Sequence, residues 1–174
     1  MTRTLVLIRH AKAEKIHPDG DHERELAERG VADAQALGRW LAEEELAPDL
    51  VLVSTATRTR QTADRVLEGA GASDAEQWPD RGIYTHGPEG VLSAVREADP
   101  EAGVLWVVGH EPSMSVVTLA LADPTTSSGP ALAGVRDHFP TATAAVLVVD
   151  APWADLAEGM ARLAAVHTAR AELG

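Results

Sequence analysis

The chain has 174 residues, enough for one well-buried domain and few for two. Its 45% apolar and 24% charged residues exclude a disordered protein, and no apolar run approaches the roughly 20 residues that span a bilayer. The lack of cysteine excludes disulfides, thiolate metal sites and thiol catalysis. A cytoplasmic location without a signal peptide is expected, and the net charge of −12 disfavours nucleic acids and anionic membranes as partners.

The first half of the chain predicts two units of a strand followed by a helix. Residues 5–8 are continuously apolar, which is typical of a strand covered on both faces. Apolar residues then recur at spacings of three and four, which predicts a helix at about 27–45. A second apolar strand at 50–53 precedes a helix expected at about 58–68.

The second half continues this alternation. A helix is predicted at 88–98, a strand at 104–108, and a further helix from Pro112 to about 122, because proline in a first turn costs no hydrogen bond. A fourth apolar strand is expected at 145–149. Strands that alternate with helices indicate an α/β fold with a mostly parallel sheet.

Two segments do not fit the alternation. Residues 123–134 are rich in Pro, Ser, Thr and Gly and predict a loop, either a mobile flap over a site or an ordinary surface loop. After Trp153 the many alanines favour a helix, but residues 163–168 also fit an added strand. The sequence leaves both choices open.

Basic residues follow three of the predicted strands. Arg9 and His10 come directly after the first strand, Arg58 and Arg60 after the second, and His110 after the strand at 104–108. In an open parallel sheet, ligands bind beyond the carboxyl ends of the strands. Guanidinium groups match phosphate oxygens, so neighbouring strands would bring these side chains together as a site for a tetrahedral anion. Taken singly, each residue also fits an ordinary loop or helix-start position.

Four short motifs occur in order along residues 5–112. They are Arg9-His10-Ala11, then Arg24-Glu25-Leu26 with Gly30, then Ser54 followed by Arg58 and Gln61-Thr62, and finally Gly109-His110. With these motifs the chain resembles the histidine phosphatase superfamily, also called phosphoglycerate mutase-like, and within it the SixA-type phosphohistidine phosphatases. The resemblance implies a three-layer α/β/α sandwich with a mostly parallel central sheet, in a single domain over residues 1–174.

The resemblance also implies roles for individual residues. His10 would be the nucleophile that forms a phosphohistidine intermediate, while Arg9, Arg58 and His110 would hold the oxygens of the transferring phosphoryl group. Arg24 would either line the edge of this pocket or form a structural ion pair. No cofactor and no metal ion are expected.

Two positions depart from the family pattern. Ala27 replaces the threonine that caps the first long helix, which removes a cap worth about 1 kcal/mol. Thr85 stands where mutase-like members carry a general-acid glutamate, and a threonine is no proton donor at neutral pH. Tyr84, His86 or Glu89 are the candidates to replace it, although each also fits a loop or a helix cap.

The leading hypothesis is a phosphohistidine-type phosphatase that acts on a phosphorylated protein or a labile phosphoramidate. The alternatives are a small-molecule phosphomonoesterase acting on a metabolite such as a sugar or glycerate phosphate, and a non-catalytic phosphate or phosphohistidine sensor. A metal hydrolase built on His10, His17, Asp19, Asp21 and His22 is the weakest hypothesis, because their spacing matches no known ligand motif. These residues are better explained as a polar loop that shapes the mouth of the pocket.

Overall fold

A six-stranded mixed sheet organises the chain in the computed structural model, which describes residues 1–172. Its strands are β1 (Arg3–Arg9), β2 (Leu50–Ser54), β3 (Glu76–Asp80), β4 (Val104–Gly109), β5 (Thr143–Val149) and β6 (Ala161–Thr168). The strand order is β3-β2-β4-β1-β5-β6. The pairs β2–β3, β2–β4 and β1–β4 are parallel, whereas β5 runs antiparallel to β1 and β6 antiparallel to β5.

Helices cover both faces of this sheet. They are α1 (Glu28–Glu43), α2 (Thr57–Gly69), α3 (Arg81–Thr85), α4 (Gly87–Arg96), α5 (Ser113–Leu121) and α6 (Gly129–Asp137). Two single-turn 3-10 helices lie at Asp21–Glu23 and Trp153–Asp155. Among residues 1–172, no helix combines the length and the apolar character needed to cross a membrane.

Each central strand contributes to two separate cores because its side chains alternate between the two faces. Val6 and Ile8 of β1 pack in the core that contains the apolar faces of α1 and α2. Leu5 and Leu7 pack in the other core, with residues of α4, α5 and α6. Both faces of the strand are covered, which explains its uninterrupted apolar sequence and confirms the predicted three-layer α/β/α sandwich.

The last two strands complete the sheet in a way that the sequence only partly predicted. The strand expected at 145–149 is present as β5, but it is antiparallel to its neighbour β1 rather than parallel. The C-terminal segment is the strand β6 and not a helix. β6 is an edge strand in which only Ala161 and Leu163 are buried, and this gives a weaker apolar pattern than the central strands have.

The predicted loop at 123–134 is wrong in its second half, where α6 begins at Gly129. The Ser128 side chain accepts a hydrogen bond from the backbone nitrogen of Ala131 at 3.2 Å, and Pro130 lies in the first turn. These are helix-start signals that the loop-like composition concealed. The backbone of Ser128 also donates to the Leu163 carbonyl of β6 at 2.9 Å, so this segment is tied to the sheet edge rather than free as a flap.

The sequence did not predict β3, α3 or the two 3-10 helices. The strand β3 has the polar sequence Glu-Gln-Trp-Pro-Asp, because it forms the other edge of the sheet and is largely exposed. Its Pro79 is tolerated there since an edge strand pairs on one side only. The helix α3 has only five residues, and it is capped by Asp80, whose carboxylate accepts from the Gly82 nitrogen at 2.7 Å.

Candidate active site

His10 lies at the carboxyl end of β1, in the centre of the sheet. Its backbone nitrogen donates to the carbonyl of Gly109, the last residue of β4, at 3.0 Å. Its own carbonyl accepts from the nitrogen of Ala142, just before β5, at 3.2 Å. The residue is only 9% exposed. Two neighbouring strands therefore fix the position of this imidazole at the bottom of the site.

The hydrogen bond at Nδ1 determines the tautomer of His10. Nδ1 lies 2.7 Å from the carbonyl oxygen of Ala11, and a carbonyl only accepts, so Nδ1 carries the proton. Burial above all, together with the positive charges of Arg58, Arg9 and Arg24, lowers the pKa of His10 to about 4, although the bond to Ala11 acts in the opposite direction. At neutral pH the ring is uncharged, and its Nε2 holds a free lone pair.

His110 follows β4 directly and stands beside His10, with 5.5 Å between the ring centroids. Its Nε2 lies 2.8 Å from the hydroxyl oxygen of Ser54, the buried last residue of β2. Burial, reinforced by the charge of Arg58, lowers the pKa of His110 to about 3. The site therefore holds two neutral imidazoles in contact with each other.

Arg58 reaches the site from the first turn of α2. Its Nη1 donates to the backbone carbonyl of Asp21 at 2.9 Å, and its Nη2 donates to the Asp21 carboxylate at 3.1 Å. The hydroxyl of Thr62, one turn further on, donates to the Arg58 carbonyl at 2.7 Å and accepts from the Ala11 nitrogen at 3.0 Å. Thr62 thus links the helix that carries Arg58 to the segment that carries His10.

Arg9, the last residue of β1, precedes His10, and its guanidinium is held by a different segment of the chain from the one that holds Arg58. Its Nη1 donates to the Phe139 carbonyl at 2.9 Å. Burial lowers the pKa of its guanidinium, while the nearby Glu111 raises it. The Nε groups of Arg9 and Arg58 are both buried and have no hydrogen-bond partner in the protein.

At the mouth of the site, the carboxylate of Asp21 accepts hydrogen bonds from three side chains. Its Oδ2 accepts from the Tyr84 hydroxyl at 2.8 Å and from Arg58, and its Oδ1 accepts from Nε of Arg24 at 2.9 Å. These bonds, the one from Tyr84 above all, lower the pKa of Asp21 to about 2. Arg24 is therefore in an ion pair, yet it is also close enough to lower the pKa of His10.

The sequence did not single out Asp21 as part of an anion site. There it was a member of the weak metal-ligand hypothesis, and its preferred interpretation was a polar loop at the mouth of the pocket. The signal available in the sequence was the spacing of three residues between Asp21 and Arg24, at which their side chains can form an ion pair.

The structure places the candidate general acids in different parts of the molecule. Tyr84 is in the site, where its ring packs edge-on against His110 at 5.6 Å. The hydroxyl of Thr85 instead donates to the Arg81 carbonyl at 3.1 Å. His86 and Glu89 line a different cleft, between α3 and α4. Position 85 therefore offers no carboxylic acid to the site.

Several other polar residues lie apart from the site or are engaged elsewhere. Arg60 is exposed on α2. His17 accepts from the backbone nitrogen of Asp19 at 3.0 Å. His22, by contrast, contacts the Thr55 hydroxyl at 3.0 Å and packs edge-on against Tyr84 of the site. Across residues 1–172, no group of three or more histidines and carboxylates is placed to hold a metal ion, so the metal-hydrolase hypothesis finds no ligand set.

Comparisons with known proteins agree with this architecture. The sequence profile of the histidine phosphatase superfamily (branch 1) matches residues 5–81. An uncharacterized protein of Mycobacterium tuberculosis is 38% identical over 165 residues, which cover 94% of this chain and all of the relative.

Two solved structures match along most of the chain, and both carry the provisional name phosphohistidine phosphatase SixA. The one from Nakamurella multipartitia has a TM-score of 0.85 and 36% identity, and 97% of each chain is covered. The one from Agrobacterium tumefaciens has a TM-score of 0.74 and 28% identity, with 95% of this chain and 97% of the other covered.

Proposed function

Since this chain belongs to the histidine phosphatase superfamily, we propose that it is a phosphatase whose nucleophile is Nε2 of His10. One observation carries the proposal. The Nδ1 proton of His10 is committed to the Ala11 carbonyl at 2.7 Å, so the lone pair on Nε2 is available at neutral pH. The cationic side chains of Arg9 and Arg58 are close enough to lower the pKa of this imidazole, and an attack on a phosphate dianion requires such positive charges nearby.

In the first step, Nε2 attacks phosphorus and the bond from phosphorus to the leaving group breaks. The leaving group takes the electron pair and a proton from water. His10 becomes a phosphoimidazolium, and the hydrogen bond from Nδ1 to Ala11 strengthens as the ring gains positive charge. Arg9, Arg58 and His110 hold the three equatorial oxygens, because phosphoryl transfer depends mainly on positioning and charge stabilisation.

In the second step, water attacks phosphorus and the bond between phosphorus and Nε2 breaks. The electron pair returns to Nε2, and inorganic phosphate leaves. The attacking water gives up a proton to the solvent, which replaces the proton that the leaving group took from water in the first step. His10 is neutral again because its pKa of about 4 disfavours the protonated ring. The cycle requires no metal ion.

For the substrate we propose phosphohistidine on a protein, or a related phosphoramidate. Thr85 and its bond to the Arg81 carbonyl support this choice, because no carboxylic acid stands there to protonate a departing alkoxide. Imidazole and nitrophenolate leave without such help, whereas sugar and serine oxygens do not. The names of the two SixA structures agree with the same substrate class.

A panel assay tests this function. The purified protein is given a phosphohistidine peptide, p-nitrophenyl phosphate, a sugar phosphate and a phosphoserine peptide. We expect kcat/KM for the first two to exceed that for the alkyl phosphates by about 10²-fold or more, which is the usual contribution of a general acid.

The other outcomes of the panel identify the alternatives. Equal rates on sugar phosphates would favour the small-molecule phosphomonoesterase, with Tyr84 as the first candidate proton donor. Tight binding of phosphohistidine without turnover would favour the non-catalytic sensor.

A further inference from the structure

Four aromatic rings form a continuous row that leads out of the site. The centroids of His10 and His110 are 5.5 Å apart, those of His110 and Tyr84 5.6 Å, and those of Tyr84 and His22 4.9 Å. Each pair is tilted or edge-on, the arrangement that aromatic quadrupoles favour. The row begins at the buried His10 and ends at His22, whose side chain is 40% exposed.

The outer half of this row consists of Tyr84 and His22, and the Tyr84 side chain is held in place by its neighbours. Its hydroxyl donates to the Asp21 carboxylate at 2.8 Å, and Asp21 is itself held by Arg24 and Arg58. The preceding residue, Ile83, is buried in the core, so the short helix α3 is anchored beneath the ring. The Tyr84 side chain therefore has a defined orientation although it is only half-buried.

The chemistry of the first step determines which part of the substrate meets this row. The leaving group departs from the side of phosphorus opposite to Nε2 of His10. Because His10 is at the bottom of the site, the leaving group points towards the mouth, where the outer rings of the row lie. Phosphate oxygens need cationic partners, but an aromatic ring offers none, so the outer rings suit the leaving group rather than the phosphoryl group.

We infer that Tyr84, with His22 beside it, is a specificity-determining residue that binds a planar leaving group by ring-to-ring contact. This inference rests on the proposed function and adds to it a residue that selects the substrate. The negative face of the Tyr84 ring attracts the positive edge of a departing imidazole more than it attracts an aliphatic chain.

Two small substrates with the same type of bond test the inference. N-phosphoimidazole and phosphoramidate both release phosphate from a P–N bond, but only the first has a ring. We expect Tyr84→Leu to lower the ratio of kcat/KM for N-phosphoimidazole to kcat/KM for phosphoramidate by about three- to tenfold, as the loss of one aromatic contact would. Tyr84→Phe keeps the ring while it loses the bond to Asp21, so the ratio should stay near the wild-type value.

A matched control removes another partly exposed aromatic ring. Trp78→Leu on the sheet edge at β3 should leave the ratio unchanged, because Trp78 is outside the site. A drop of the same size for both substrates in Tyr84→Leu would mean that Tyr84 only supports Asp21, and the inference would fail.

A measurement on the wild-type protein covers the case in which Tyr84→Leu does not fold. Phenylphosphonate should inhibit about three- to tenfold more tightly than methylphosphonate, because only the phenyl group reaches the row. Equal inhibition would overturn the inference. Absence of turnover on every substrate would instead overturn the proposed function, so the two failures are distinguishable.

Discussion

Asp21 engages both terminal nitrogens of Arg58, one through its backbone carbonyl at 2.9 Å and the other through its carboxylate at 3.1 Å. The same carboxylate accepts hydrogen bonds from Tyr84 and Arg24. Asp21 thus fixes the guanidinium plane of Arg58 before any phosphate arrives. A preorganised donor of this kind needs little rearrangement as charge develops in the transition state.

Asp21→Asn tests this positioning role. We expect kcat/KM for p-nitrophenyl phosphate to fall about tenfold, since hydrogen bonds between charged groups contribute roughly 1.5–3 kcal/mol and this carboxylate is half-exposed. Asp19→Asn, on the same loop with a 79% exposed carboxylate, is the matched control and should have no effect. Tighter inhibition by tungstate in Asp21→Asn would instead mean that the carboxylate competes with phosphate for Arg58.

Removal of the His10 imidazole should abolish turnover. We expect His10→Ala to fold and to lose activity by at least about 10³-fold, because both steps pass through Nε2. Brief reaction of the wild type with labelled substrate should trap a phosphoenzyme that is labile in acid and stable in base. His167→Asn, which alters a histidine stacked on Trp40 away from the site, should retain both activity and the trapped species. A His10→Ala protein with a tenth of the wild-type rate would exclude covalent catalysis at this residue.

The lowered pKa of His10 gives a prediction for the pH profile. In the proposed mechanism the neutral ring is the reactive form, and with a pKa of about 4 it predominates at all pH values above that. The rate constant kcat/KM for p-nitrophenyl phosphate, corrected for ionisation of the substrate, should therefore stay level from pH 8 to pH 5 and decline only below it. A midpoint near the ordinary histidine value of about 6.5 would show that Arg9, Arg58 and burial do not perturb the nucleophile.

Activity should be independent of added metal ions. We expect the rate to survive EDTA, because the proposed charge stabilisation comes from Arg9, Arg58 and His110. Vanadate and tungstate should compete with substrate, since both present tetrahedral or trigonal oxygens to the same donors. Loss of activity in chelator with recovery in zinc or magnesium would require a metallophosphatase instead.

Gly30 in α1 tests how closely the second motif packs behind the nucleophile. A Cβ atom there would lie 2.0 Å from the backbone carbonyl oxygen of Lys12, two residues after His10. Gly30→Ala should therefore cost about 1–3 kcal/mol of unfolding free energy and lower the melting temperature by several degrees. Gly134→Ala in α6, where no atom lies within 4 Å of the added Cβ, should be neutral or slightly stabilising. Equal effects of the two substitutions would show that the Lys12 segment moves freely.

The sequence predicted the elements whose signal is local. The strands β1, β2 and β4 were found because they are apolar on both faces, and His10, Arg58 and His110 were placed together because each follows one of them. The contact between Asp21 and Tyr84 joins residues 63 positions apart, on two short helices with no apolar period. No local pattern encodes such a pair, so its place in the site emerged only from the folded structure.

The residues at the bottom of the site and those at its mouth lie on different kinds of secondary-structure element. His10, His110 and Arg58 follow central strands whose side chains pack in both cores, so substitutions in those strands disturb the whole fold. Asp21, His22 and Tyr84 belong to single-turn or five-residue helices outside the sheet. If Tyr84 selects the leaving group as proposed, mutations of His22 or Tyr84 change which leaving group is accepted and leave His10, His110 and Arg58 in place. Descendants of one ancestral chain could in this way acquire new substrates without passing through an inactive intermediate.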